Sequence, residues 1–226
     1  MLISFTNVSK VYGKNTRALD DVSFTMESGE FIFLVGNSGA GKTTILRLLI
    51  RDLLPTNGKI MLETLEISKL PRSKMPQLRR MIGMIFQDFK VLNNRTVFEN
   101  VAISLEIVGK KPQEINRKVT EVLHLVGLSD KMHLFPIQLS AGELQRTAIA
   151  RAIAGGPKVL LADEPTGNLD PTTSWEILKI LKEINKLGTT ILMATHNVDI
   201  VNSMRKRVLV LKKGKLIKDE KQGKYQ

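Results

Sequence analysis

The sequence contains no cysteine. That excludes disulfides and thiolate metal sites, and it fits a reducing compartment. Aromatic residues make up only 5% of the chain, with a single tryptophan, and they are scattered. A basic, aromatic-rich platform for single-stranded nucleic acid is therefore missing. No apolar run approaches the roughly 18 residues needed to cross a bilayer. The opening Met1-Leu2-Ile3-Ser4-Phe5 stretch has no basic start, long apolar segment or small-residue cleavage site, so it does not read as a signal peptide. A membrane role is expected to pass through a partner or the surface. Internal repeats and coiled-coil heptads are also missing.

What is present is an ordinary globular composition. The 226 residues are 42% hydrophobic and 25% charged, enough for one sizeable core. The formal net charge is +12, and it is uneven. From Arg205 onward, nine Lys and Arg face only Asp219 and Glu220. Two readings of this basic tail stay open. It is a solvated tail, or it is drawn to anionic lipid headgroups at about 1 kcal/mol per basic residue.

Residues 3–8 and 21–26 alternate apolar and polar side chains as half-buried strands do, with a turn at Gly13-Lys14-Asn15. Residues 31–35 form a continuous apolar run, the pattern of a buried parallel strand. A helix is expected over 43–54 and a strand over 59–63, then another strand over 82–86. The middle of the chain reads as helices at 97–108, 112–126 and 142–154, with proline at a first-turn position in the second. Strands return at 159–162, 190–194 and 208–211, separated by helices at 173–187 and 198–204. Strands alternating with helices predict an α/β fold with a parallel sheet covered on both faces. The helical middle reads as an inserted subdomain.

Gly36-Asn37-Ser38-Gly39-Ala40-Gly41-Lys42-Thr43 matches the P-loop pattern between an expected strand and an expected helix. Small residues let successive backbone N–H groups face phosphates, and the helix start adds partial positive charge. Lys42 is placed to reach the terminal phosphates and the Thr43 hydroxyl to ligate Mg²⁺. Val159-Leu160-Leu161-Ala162-Asp163-Glu164 reads as an apolar strand ending in two carboxylates, where ligands bind in open α/β sheets. Asp163 would support the Mg²⁺ directly or through a coordinated water. Glu164 would act on the attacking water as general base.

At this point the residues resemble a known family. Leu139-Ser140-Ala141-Gly142-Glu143-Leu144-Gln145-Arg146, followed by Asp163-Glu164-Pro165-Thr166-Gly167-Asn168-Leu169-Asp170, is similar to the signature motif and D-loop of ATP-binding-cassette ATPases. The resemblance runs in order through the whole chain. It implies a RecA-like core with an antiparallel β subdomain (1–87 and 155–215), a helical signature subdomain (88–154) and a basic tail (216–226). It further implies that Tyr12 stacks on adenine, that Thr44 joins the phosphate loop, and that Gln87 is a Q-loop residue near the Mg²⁺. His196 corresponds to the switch histidine. Catalysis would rest on Lys42, Glu164 and His196, with ATP and Mg²⁺ as ligands.

Ser140 and Gly142 would contact the ATP of a second copy in a head-to-tail dimer, with Asp170 also acting across that interface. The family usually has two glycines after the signature serine, and here Ala141 replaces the first. An alanine methyl is comfortable only where φ is negative.

Several strings narrow the resemblance to one branch. Leu78-Arg79-Arg80-Met81-Ile82-Gly83-Met84-Ile85-Phe86-Gln87-Asp88 and Phe135-Pro136-Ile137-Gln138-Leu139-Ser140 are similar to the bacterial cell-division (FtsE) branch. That branch implies an FtsX-like transmembrane partner, the cytoplasmic face of the membrane, and control of peptidoglycan hydrolases. The lipoprotein-releasing or macrolide-export branch is the alternative. Phe89, Val91 and Leu92 are expected as exposed residues of the partner groove. No nucleic-acid partner is expected.

Overall fold

The fold was taken from a computed structural model, which describes residues 1–13 and 16–223. The turn expected at 13–15 therefore lies mostly outside the described residues. Strands β1 (Ile3–Tyr12), β2 (Thr16–Met26) and β3 (Phe31–Val35) lead into α1 (Lys42–Leu49). Next come β4 (Asn57–Leu62), β5 (Leu65–Glu66), α2 (Met75–Met81) and β6 (Ile82–Ile85). Helices α3 (Val97–Glu106), α4 (Pro112–Leu125) and α5 (Ala141–Ala154) make up the helical middle. The chain then runs through β7 (Val159–Asp163), α6 (Pro171–Lys186), β8 (Thr190–Thr195), α7 (Val198–Met204), β9 (Arg207–Lys212) and β10 (Lys215–Glu220).

Two sheets result. A six-stranded sheet has the order β10-β9-β3-β8-β7-β6, parallel except for β10. A four-stranded antiparallel sheet has the order β2-β1-β4-β5. Strand β3 explains the layering. Successive side chains point to opposite faces of a strand. Phe31, Phe33 and Val35 enter a core shared with α3–α6, whereas Ile32 and Leu34 enter a second core with α1, β1, β2 and β4. Both faces are buried, so the strand is apolar without alternation.

Local signals set the helix starts. The Thr96 hydroxyl accepts from Glu99 N at 3.2 Å while Glu99 Oε2 accepts from Thr96 N at 2.7 Å, a reciprocal cap for α3. Ser140 and Glu143 repeat this at α5, and Asp170 and Asn197 cap α6 and α7. Helix α1 stops at Leu49, short of the expected 54, because Arg51 turns left-handed at φ 52°.

The basic tail expected from 216 needs correction. Residues 215–220 are an edge strand paired antiparallel to β9. The turn joining them holds Lys213 at φ 48° and Gly214 at φ 79°, a two-residue hairpin geometry. Arg207 binds Asp219 at 2.7 Å and Glu30 at 3.1 Å, fixing the hairpin to the core sheet, and Lys215 lies 3.3 Å from Asp20. Part of the expected tail is thus paired sheet, with Lys215 facing Asp20 and Lys218 lying 3.7 Å from Glu220.

Candidate active site

Strand β3 ends at Val35, and the chain must then reverse into α1 within six residues. Two glycines make that possible. A Cβ on Gly36 would lie 2.3 Å from Leu211 O, and Gly41 adopts φ 109° with Ala18 O only 2.7 Å from where its Cβ would be. The loop they allow opens a cleft of 1040 Å³, large enough for a nucleotide-sized ligand. Asn37, Ser38, Gly39, Ala40, Gly41, Lys42, Thr43 and Thr44 line it, together with Tyr12, Gln87, Asp163, Glu164 and His196. Gly36 shapes the loop from behind. Parallel pairing of β7 with β8 carries Asp163 beside Ala194, so the ends of three sequence-distant strands converge on one mouth.

Lys42 is buried to 8% exposure and folds back over the loop. Its Nζ donates to Gly36 O at 2.7 Å and lies 3.6 Å from Glu164 Oε1. The other Glu164 oxygen lies 3.0 Å from His196 Nδ1 and accepts from His196 N at 3.4 Å. Glu164 itself sits at φ 47°, with its N–H donating to Ala194 O at 3.0 Å. A left-handed glutamate is strained, and such strain collects at functional sites. The turn lifts the carboxylate out of the strand and into the cleft.

The Thr43 hydroxyl donates to Asp163 Oδ1 at 3.2 Å. Burial pushes the Asp163 carboxyl above the usual carboxylate range. The Glu164 charge adds to that rise, while the Thr43 hydrogen bond and Lys42 oppose it. A hydroxyl and a desolvated carboxylate form a hard oxygen pair suited to Mg²⁺. Gln87 lines the same cleft, but its Nε2 faces Asn168 Oδ1 at 3.5 Å.

A folded-state pKa above the unfolded one means that the native chain holds this proton more tightly. Stability of the ligand-free protein therefore falls as pH rises from the unfolded value near 3.8 through the folded one. Asp163→Asn is expected to raise the thermal midpoint at pH 8 by on the order of 2–4 °C. The thermal gain shrinks toward pH 4. A midpoint that drops at pH 8 would contradict the burial argument.

Tyr12 reaches the outer edge of the cleft, and Lys10 Nζ covers one ring face at 5.4 Å. Arg17 and Val198 also line the cleft, and the sequence reading missed both. No motif marks them. They arrive because β2 and the start of α7 flank the loop.

Ser140 and Gly142 do not line this cleft. Ser140 is exposed at the start of α5, where its Oγ accepts from Glu143 N at 3.3 Å. Ala141 is the first residue of α5 and keeps helical backbone, so its methyl meets no positive-φ strain. Gly142 is buried, and a Cβ there would lie 2.5 Å from Thr173 Cγ2. Glu143 closes the cap and pairs with Lys131, which holds its carboxyl below the ordinary range with help from Ser140 N–H. Gln145 Nε2 donates to Pro165 O at 2.6 Å, tying α5 to the turn after Glu164. Asp170 accepts from Thr173 N at 3.0 Å as the α6 cap.

Phe89, Val91 and Leu92 are half-buried, not exposed as expected. Fully buried Asn100 accepts from Leu92 N at 2.8 Å and donates to Leu92 O at 3.0 Å, while Arg151 donates to Phe89 O at 3.2 Å. These bonds draw the segment inward. The exposed large apolar side chains of the helical middle are instead Ile107, Phe135 and Ile137.

Residues 19–167 match the family model described as ABC transporter. The chain is 49% identical over 224 residues to the cell division ATP-binding protein FtsE of Bacillus subtilis strain 168, covering 99% of this chain and 98% of that one. It is 49% identical over 215 residues to the protein of the same name from Escherichia coli K12, covering 95% and 97%. Among solved structures it resembles a dimeric post-hydrolysis state of the ATP-binding cassette MJ0796 bound to ADP and Pi. That match has a TM-score of 0.89 at 31% identity, covering 99% of this chain and 100% of the other.

Proposed function

The chain belongs to the ABC transporter family as an ATP-binding-cassette ATPase, and from that premise we propose that it is the ATP-hydrolysing subunit of an FtsEX-type cell-division complex. It works from the cytoplasmic face on an FtsX-like transmembrane partner and passes ATP-driven change to peptidoglycan hydrolases. The observation that carries the enzymatic part is the meeting of Lys42, Thr43, Asp163, Glu164 and His196 in one cleft. Identity of 49% along nearly the full length of proteins named FtsE supports the cell-division part.

The chemistry follows from groups already in place. ATP enters with its adenine against Tyr12 and its phosphates on the N–H groups of residues 36–44. Lys42 then exchanges Gly36 O for phosphate oxygens, a charge-assisted contact stronger than the one it gives up. Thr43 and Asp163, with Gln87 lining the same cleft, would hold Mg²⁺, which when bound would neutralise charge on the phosphates. Glu164 takes a proton from the attacking water, and His196 orients that carboxylate through Nδ1.

Ser140 and Gly142 lie away from their own P-loop, which suits a head-to-tail pair in which each copy completes the other's site. Cation charge at Lys42 and the start of α5 would then face one nucleotide from two chains. Loss of the terminal phosphate removes the shared contacts and lets the pair open, a ligand-driven two-state switch.

Affinity purification of the tagged chain from detergent-solubilised membranes tests the assignment. Recovery of a four-span protein with a large extracytoplasmic loop is the expected result. Recovery of a lipoprotein-releasing or macrolide-export permease would transfer the chain to that branch instead.

A further inference from the structure

A second cleft, of 370 Å³, lies between α6 and α7, away from the P-loop. Its floor is Trp175, Leu178 and Met204, and its rim carries Lys179, Lys182 and Lys206, with no acidic residue among the lining side chains. Trp175 is the only tryptophan in the sequence, and it remains 40% exposed on a helix where Ile177, Leu178, Leu181 and Ile184 are buried and Ile180 is half-buried. Lys179 and Lys182 stand three residues apart, hence on one helix face. Among the described residues no ion pair involves any of the three lysines, whereas Lys186, one turn further on, binds Glu183 at 2.7 Å.

We propose that this groove is a docking site for an acidic peptide segment that carries one apolar side chain. The apolar residue packs on Trp175, Leu178 and Met204, and flanking carboxylates meet the three ammonium groups. Exposed ion pairs each contribute little. Burial against the indole therefore supplies most of the affinity, and the lysines select the sign of the partner and raise the association rate. A lone aromatic gives no row of stacking faces for bases. A recess walled by two helices suits an extended chain better than a flat lipid surface.

The groove is wired to the phosphate end of the site. Trp175 also lines a smaller cleft, of 260 Å³, together with Glu164, His196 and Ile200. Helix α7 spans only Val198–Met204. It starts directly after His196, through an Asn197 cap that accepts from Ile200 N at 3.1 Å, and ends at Met204 in the groove floor. A segment wedged against Met204 bears on the helix that carries the His196 turn. The proposal is independent of the cell-division reading.

Trp175 supplies the readout. The probe is a synthetic ten-residue peptide of Asp and Glu around one Phe, titrated at low salt into the intact nucleotide-free chain while tryptophan emission is followed. A saturable change with micromolar midpoint is expected. It should weaken at least tenfold in Lys179→Glu/Lys182→Glu and also in the milder Lys179→Gln/Lys182→Gln, both of which keep Trp175 and the basal ATPase rate. A Lys-for-Glu peptide, and an acidic peptide without Phe, should each bind at least tenfold more weakly. No change up to about 1 mM, or equal response in the lysine variants, would overturn the proposal. So would a saturable response confined to phosphatidylglycerol vesicles or to an oligonucleotide.

Discussion

Glu164→Gln should abolish turnover while leaving ATP bound. A positioned general base contributes about 10²–10⁴-fold to a hydrolytic rate, so steady-state phosphate release is expected to fall by at least 100-fold. The substitution is close to isosteric and keeps the backbone at φ 47°, so the fold should not change. It also removes the carboxylate that faces Lys42 at 3.6 Å and His196 at 3.0 Å. Lys42 then turns to phosphate without a competing anion. Nucleotide affinity should hold or rise, and ATP should accumulate between two copies. Light scattering coupled to size exclusion, with and without ATP, reads the dimer. Parental turnover in this variant would remove Glu164 from the role assigned to it.

Lys42→Ala is expected to fail earlier, at binding. The ammonium is buried and satisfied by loop carbonyls, so its value lies in trading them for phosphate. Hydrogen bonds to charged groups contribute about 1.5–3 kcal/mol each, and with more than one phosphate oxygen in reach the loss in affinity is on the order of 100-fold. Calorimetric titration with ATP measures it. The two variants are distinguishable: one should bind and not turn over, the other should do neither. The glycines that shape the loop are untouched, so thermal stability without nucleotide should change little in Lys42→Ala.

These expectations rest on residues that could be named before any coordinates existed. The loop from Gly36 to Thr43 is legible because its chemistry is local. Small residues, one lysine and one hydroxyl must be contiguous to wrap a phosphate. Strand β3 and helix α7 matched their expected bounds, since a run buried on both faces and a short capped helix each carry a strong local pattern. The Asp163-Glu164 pair was legible as a strand end, and His196 as a residue beyond another.

Where local signals were weak, the reading failed. The β9–β10 turn uses Lys213-Gly214 instead of an Asn-Gly or Asp-Gly pair, so nothing in the string announced a hairpin. Its strand is rich in lysine and looked like a tail. Asp20, distant in the chain, partners Lys215, and the hairpin is tied down by Arg207 through Glu30 and Asp219, contacts that no local stretch announces. Phe89, Val91 and Leu92 looked free because Asn100 and Arg151, which hold that segment, follow at a distance along the chain.

The sequence by itself determined the phosphate-binding chemistry, the order of most strands and helices, and which side chains can carry a proton or a charge. Those properties belong to residue types and their spacing. The tertiary structure alone decided that Thr43 and Asp163, 120 residues apart, come within 3.2 Å. It also decided that Glu164 bridges Lys42 and His196, that Ser140 stands outside its own P-loop cleft, and that Trp175 is left uncovered beside three lysines. Such facts depend on which strands become neighbours in the sheet. That choice is made by burying two apolar faces at once, and no short stretch of the chain encodes it.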